Sequence, residues 1–270
     1  MKQPIVNSQP DARLSDVPLK LWIYTNYHCN LACSYCVAES TPRAPRRAVS
    51  MDFVKRLVDE SQELGFEQIY FTGGEPFLLD EIYEMLAYAA QRAATTVLTN
   101  AILFNSKRLE RLEEIRNDRL VIQVSLDGSC PEQHDPYRGE GSWLKTVQGM
   151  QALRERGFAL RISTTVTPAN TAHLDEICGY HLSLGIPEQD HIIRPLARRG
   201  FSQQGMEVCK ASLAPEITVN DQGVFWHPLS TDADLLVSEK VFPLAEAVEK
   251  ARVELQAILD ASQTGIKTFQ

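Results

Sequence analysis

The sequence predicts a mixed α/β fold built on parallel strands, and three observations carry that expectation. Six short β-rich apolar runs alternate with five helical patterns, cap and stop residues bracket those patterns, and polar or glycine residues follow the strands. Such alternation implies right-handed crossovers between parallel strands, hence an open doubly wound sheet or a barrel, complete or partial. With 270 residues, 44% hydrophobic and 23% charged, the polypeptide is long enough to bury one large domain, with or without a small appendage.

Strands are expected at 19–24, 68–72, 96–99, 120–126, 159–166 and 191–196, and helices at 51–64, 80–92, 106–116, 142–156 and 171–184. Ser50 caps the first helix, Phe53, Val54, Leu57, Val58 and Leu64 fall at helical spacing, and Gly65 closes it. Ser142 and Gly157 bracket the fourth helix in the same way. The run LVIQVSL (120–126) is nearly continuous in apolar residues, as in a strand covered on both faces. Beyond residue 196 the alternation stops: EITVNDQGVFW (216–226) reads as a hairpin turning at Asn220–Gly223, and 243–261 as one amphipathic helix. The expected organisation is a tail at 1–18, a core at 19–200 and a small extension at 201–270.

Several classes are excluded. No run of about 18 apolar residues is present, so no membrane span is expected. The N-terminus lacks the apolar stretch of a signal peptide, and a net charge of −8 argues against nucleic acid as the main partner. A cytoplasmic protein is expected, where clustered thiols bind metal or do redox work rather than form disulfides.

Six cysteines stand at 29, 33, 36, 130, 178 and 209. The first strand leads into YHCNLACSYC, in which Cys29, Cys33 and Cys36 have C-x3-C-x2-C spacing. Three thiolates on one compact loop suit three irons of a four-iron cube, with the fourth iron left open. Structural zinc is the competing assignment, with His28 as the only close fourth ligand. The second strand ends in TGGEP: Gly73 and Gly74 permit close approach of a ligand to the backbone, and Glu75 sets an anionic acceptor at the pocket rim, suited to an ammonium group. Glu at a helix N-terminus is the alternative for that residue.

CNLACSYC followed by TGGEP resembles the radical S-adenosylmethionine (radical SAM) superfamily. The match is to the branch with the molybdenum-cofactor cyclase, the sulfatase-maturing enzymes and the peptide maturases with SPASM or twitch extensions. VLTN (97–100), SLDG (125–128) with HDPYRGEGSW after it, and RISTTVTPAN (161–170) continue the resemblance, which covers about residues 19–200. It implies a partial (β/α)6 barrel, one 4Fe–4S cluster on Cys29, Cys33 and Cys36, and SAM on the open iron. It also implies that Tyr35 lies near the adenine and that Gly73, Gly74 and Glu75 hold the methionyl ammonium. Asn100 and Ser125 match positions at the ribose or methionyl moiety, and Thr165 and Leu196 line the adenosine side. Arg138 and Arg194 are candidates to face SAM or a substrate carboxylate.

The implied chemistry is one-electron reductive cleavage of SAM to a 5′-deoxyadenosyl radical, which abstracts hydrogen from a substrate. An external reductant such as flavodoxin or ferredoxin is implied with it. A peptide or protein side chain is the expected substrate, and a small metabolite (nucleotide, sugar or natural-product precursor) the alternative. A non-catalytic metal-binding or electron-transfer module is the remote one.

The pattern breaks after residue 200. Cys209 and GVFWHP resemble the opening of a SPASM or twitch extension, but His227 and Pro228 stand where Pro-Cys is expected and no further cysteine follows. A degenerate extension without a fully ligated auxiliary cluster is expected. Cys178 is expected to be a buried small hydrophobe, Cys130 a loop thiol, and the basic loop 41–47 either a solvated linker or a dock for an acidic partner.

Overall fold

The computed structural model describes residues 20–261; Leu19, the expected tail at 1–18 and residues 262–270 lie outside the described part. Its parallel strands are β1 (Lys20–Tyr24), β2 (Gln68–Thr72), β3 (Ala94–Thr99), β4 (Leu120–Ser125), β5 (Leu160–Val166) and β6 (His191–Pro195). The helices between them are α1 (Met51–Glu63), α2 (Ile82–Ala90), α3 (Ser106–Glu114), the pair α4 (Pro131–Arg138) and α5 (Ser142–Glu155), and α6 (Leu174–Ser183). The remaining elements are β7 (Ile217–Asn220), β8 (Gly223–Phe225), β9 (Leu236–Ser238) and α7 (Leu244–Ala261).

The sheet runs β6-β5-β4-β3-β2-β1-β7-β8-β9. From β1 to β6 spatial order follows sequence order without reversal, which a doubly wound sheet would show at its switch point. Residues from all six of these strands line one cavity, so the array curves around it as a barrel wall. Among the described residues the wall is open, because β6 has no strand on its outer side and β7 lies against β1. The fold is therefore the partial (β/α)6 barrel.

Alternation along each strand divides the two faces. Leu21 and Ile23, Ile69 and Phe71, Val97, Ile122 and Val124, and Ile162 face the helices in one core with Leu57, Val58, Met85, Leu86 and Leu153. Trp22 and Tyr24, Tyr70 and Thr72, Leu98, Gln123 and Ser125, Ser163 and Thr165 face the cavity. Fully burying a large apolar side chain stabilises the fold by about 1.5–3 kcal/mol, so the helix-facing set fixes which residues are left to the cavity. This corrects the expectation for 120–126: the run is not uniformly core, since Gln123 and Ser125 are the cavity-facing half of a period-2 strand.

The first helix is capped as expected, with Ser50 Oγ accepting from Phe53 N at 3.2 Å. Ser142 is not the cap of the helix it begins. Gly141 holds the cap position at φ 70°, and the Asp135 carboxylate accepts from Gly141 N, Ser142 Oγ and Trp143 N at 2.8, 3.1 and 2.8 Å. Asp135 lies on α4, a helix absent from the expected elements. Cys178 is partly exposed rather than buried, with Sγ 3.6 Å from His191 Nδ1. At the turn of the expected hairpin, Asn220 Oδ1 accepts from Gln222 N and Gly223 N at 2.7 and 3.0 Å. That hairpin extends the main sheet, pairing β7 with β1 and packing Trp226 into the shared core, which Leu255 of α7 joins. Arg47 of the basic loop is tied to it, 2.9 Å from Asp221 Oδ2, with its guanidinium over the Tyr27 ring.

Helix α5 is pressed onto the turn that follows β3. Thr146 Oγ1 donates to Asn100 O at 2.9 Å, and a Cβ added at Gly149 would stand 1.8 Å from Ala101 O. Gly149→Ala is therefore expected to cost about 1–3 kcal/mol of stability, measured by urea unfolding. An unchanged midpoint would show that α5 does not position this turn.

Candidate active site

The cavity has a volume of about 430 Å³ and reaches the carboxyl ends of the parallel strands, where ligands bind in such folds. Cys29, Cys33 and Cys36 line it, on the loop that follows β1. That loop is held by Cys29 N donating to Thr41 O at 3.1 Å and Ser34 N to Tyr137 O at 2.9 Å. Backbone amides point at two of the sulfurs: Leu31 N lies 3.4 Å from Cys29 Sγ and Ser40 N 3.4 Å from Cys36 Sγ. Asn100 Nδ2 is 3.8 Å from Cys29 Sγ.

Burial pushes the Cys29 thiol up to about 12 and that of Cys33 to about 11, the latter although Arg138 acts to lower it. Both stay neutral unless a cation takes the proton's place, as bound metal does. Among the described residues no three His, Cys, Asp or Glu side groups converge closely enough to hold a single metal ion. The three thiols line one cavity, with backbone N–H donors on the sulfurs of Cys29 and Cys36, a donor set that fits three irons of a multi-iron cluster. His28, the fourth ligand that zinc would need, is not part of the cavity wall.

Gly73, Gly74 and Glu75 join the wall from the turn after β2. The glycines permit a close approach, but of the backbone itself rather than of a ligand. A Cβ at Gly73 would stand 2.3 Å from Asn26 O and one at Gly74 2.1 Å from His28 O. Gly74 N and Glu75 N donate to those same two carbonyls, so the turn is clamped to the start of the cysteine loop. The Glu75 side chain is buried and accepts from Thr99 Oγ1, Asn100 N and Phe77 N at 2.8, 2.8 and 3.1 Å. A carboxylate offers about four acceptor positions, so these three bonds leave capacity for one more donor.

Asn100 ends β3 with its side chain already engaged: Nδ2 donates to Asn30 Oδ1 at 2.8 Å and Oδ1 accepts from Ile102 N at 3.0 Å. Ser125, Thr165 and Leu196 line the same cavity from β4, β5 and the residue after β6. Tyr35 lines it as well, and its hydroxyl donates to Asp127 Oδ2 at 2.5 Å. The structure thus brings every expected site residue to one wall.

Asp127 is not among the expected site residues, although SLDG contains it. It is fully buried, and Arg138 Nε donates to its Oδ2 at 2.6 Å. Thr165 N donates to Oδ1 at 2.8 Å, Asn170 Nδ2 to its carbonyl at 2.7 Å, and its own N–H to His134 Nδ1 at 3.1 Å. Burial raises its pKa, but the Arg138 charge and hydrogen bonds outweigh that and hold the carboxyl below its usual range. Arg138, a candidate for a substrate carboxylate, is therefore committed to Asp127, while Arg194 also lines the cavity. The sequence signals for Asp127 are its place in SLDG and an acidic residue directly after an apolar strand. Cys209 is exposed, whereas the His227 ring is buried with Nδ1 accepting from Leu229 N at 3.1 Å.

Fold and donor set together define a partial barrel with three thiols and a buried carboxyl group gathered on one cavity wall. The chain belongs to the radical SAM superfamily, whose description matches residues 23–179, and which uses a 4Fe–4S cluster and S-adenosylmethionine. It is 32% identical over 185 residues to mycofactocin maturase MftC of Mycobacterium tuberculosis (strain CDC 1551 / Oshkosh), covering 68% of this chain and 46% of the relative. It is 30% identical over 191 residues to the AdoMet-dependent heme synthase of Oleidesulfovibrio alaskensis, covering 70% of this chain and 48% of that one. In fold it is similar to native anSMEcpe with bound AdoMet and Cp18Cys peptide, with a TM-score of 0.67 at 14% identity over 91% of this chain and 84% of that one. The chain spans about half the length of the curated relatives it matches. No helix of the described residues is long and apolar enough to cross a membrane.

Burial pushes the Glu75 carboxyl up to about 7, against the lowering effect of its bonds from Asn100, Thr99 and Phe77. With the folded value raised, the stability this group contributes is full below its ordinary pKa of about 4.3 and is lost as pH rises through about 7. The ligand-free protein is expected to lose stability relative to Glu75→Gln across that window, measured by urea unfolding in a pH series. A pH-independent difference would mean that the carboxyl is ionised throughout.

Proposed function

We propose that this chain reductively cleaves S-adenosylmethionine and uses the resulting radical to abstract hydrogen from a peptide or protein side chain. The observation that carries this reading is the convergence of Cys29, Cys33, Cys36, Glu75 and Asn100 on one cavity at the carboxyl ends of the strands. When bound, the cluster would supply one electron to the sulfonium of SAM, which would release a 5′-deoxyadenosyl radical to take a hydrogen atom from the substrate.

Every other part of the task falls to the protein. Cys29, Cys33 and Cys36 hold three irons, and the free acceptor position of Glu75 receives the methionyl ammonium. Gly73 and Gly74 keep that carboxylate against the cysteine loop. Tyr35, fixed by Asp127, presents its ring to the adenine, while Ser125, Thr165 and Leu196 line the rest of the adenosine. Tyr24, Leu98 and Leu229 contribute apolar wall, which keeps water from a reactive intermediate.

A peptide substrate is favoured by the open wall. Among the described residues β6 is an unpaired edge with Ile193 39% exposed, and an extended peptide can add to such an edge beside the cavity. The similarity to a maturase, and in fold to a protein solved with a peptide, supports the same substrate class. The relative named as a heme synthase supports the small-molecule alternative. On this reading the protein works in the cytoplasm with an external reductant of the flavodoxin or ferredoxin type. Residues 201–261 act as an extension that covers β1 and carries no cluster of its own.

The test is anaerobic reconstitution with iron and sulfide, then dithionite and SAM, with chromatography for 5′-deoxyadenosine. The wild type is expected to form it. Cys33→Ala is expected to abolish it with the cluster, and Glu75→Ala to weaken SAM binding with the cluster retained. Product from Cys33→Ala equal to wild type would overturn the reading.

A further inference from the structure

Among the described residues, two charged side chains of the cavity lack a partner of opposite charge, Glu75 and Arg194. Lys20 Nζ donates to Glu216 Oε1 at 2.8 Å, and the other oxygen of Glu216 accepts from Trp22 Nε1 at 2.5 Å. Arg138 is paired with Asp127, and Glu75 is reserved for a cationic group. Arg194 also lines the cavity, yet among the described residues it makes no hydrogen bond and no ion pair. The carboxylate that acts on it is Glu216, both of whose oxygens are taken. Two cations therefore share one carboxylate at this end of the cavity.

A second group there is also orphaned. The Gln123 side chain is fully buried, faces the cavity from β4, and has no partner at either Oε1 or Nε2. An unpaired buried amide and an uncompensated guanidinium each cost folding free energy. Such costs concentrate where a ligand offsets them. By strand register Gln123 stands level with Leu98 and Arg194 level with Thr165 near the end of β6, and both side chains line the cavity, whereas Glu75 and Asn100 stand past the strand ends.

Resting on the reading of this cavity as the SAM and substrate site, we propose that Arg194, with the Gln123 amide as a second donor, receives a carboxylate of the substrate. The guanidinium fork matches a carboxylate in two parallel bonds, and Nε2 of Gln123 supplies a further donor. The carboxylate belongs to an acidic side chain or to the carboxyl terminus of a peptide, and the target hydrogen lies between it and the cluster.

The test uses the reconstituted protein with and without SAM, and three probes read by the ligand-dependent rise in Tm. N-acetylglutamic acid α-amide carries only a side-chain acid, N-acetylglutamine only a terminal acid, and N-acetylglutaminamide neither. One or both acids are expected to raise Tm and the neutral amide to leave it unchanged; the acid that acts identifies the source. Arg194→Met is expected to weaken the acid at least about tenfold and Gln123→Met by a smaller factor, while SAM affinity persists in both. Ligand-free Arg194→Met is expected to melt at or above the wild-type temperature, since an unpaired charge has been removed. A lower Tm would make Arg194 structural, loss of SAM binding in Arg194→Met would make SAM its partner, and equal acid binding by wild type and variant would remove its role. Each of these overturns the proposal. Failure of the wild type to bind SAM would instead overturn the functional reading, and the titrations without SAM still decide Arg194.

Discussion

The buried pair between Asp127 and Arg138 is the interaction on which the rest of the site depends. Asp127 sits just past the end of β4, and its atoms bind the Tyr35 hydroxyl of the cysteine loop, the Thr165 amide on β5 and Asn170 beyond it. Arg138 closes α4, whose preceding residue offers its carbonyl to Ser34 N. One carboxylate thereby joins the cysteine loop, two strand ends and a helix. Its value lies in placement more than in strength. A buried pair does little better than an apolar pair of equal volume, but removing one partner strands a charge at about 3–5 kcal/mol.

Glu75 does the corresponding work on the other side of the loop. Its carboxylate ties the turn after β2 to the end of β3, and the two glycines before it bring that turn against Asn26 and His28. The cysteine loop is thus held between two buried carboxylates, one paired with a guanidinium and one without a cation. That asymmetry fits the division of labour proposed for the cavity: Asp127 is committed to structure, while Glu75 keeps an acceptor for a cationic ligand. Arg194 is the reverse case, a cation left without an anion.

Much of this is legible in the sequence. The strand–helix order is written in local periodicity and caps, so Gln68–Thr72 and the start of α1 at Met51 fall where expected. The cysteine loop, TGGEP, Asn100 and Ser125 stand out because strand ends are where such folds place ligands. What escapes are properties of assembled neighbours. The helix α4 carries Pro136 in its interior and is stabilised by tertiary contacts that no periodicity announces. Ser142 looks like a cap because the competing carboxylate of Asp135 becomes visible only once α4 exists. Gln123 looks like an exception within an apolar run, and only the curvature of the sheet shows that it faces a cavity. Whether an arginine is paired or free, as with Arg138 and Arg194, depends on partners that are distant in sequence.

The most direct test of the central claim is an anaerobic count of iron and sulfide per polypeptide, with electron paramagnetic resonance of the dithionite-reduced protein before and after SAM. Three cysteines on one loop and an open coordination position predict about four irons per polypeptide and a signal that changes when SAM is added. Bound zinc in place of iron, or a cluster signal indifferent to SAM, would contradict the account.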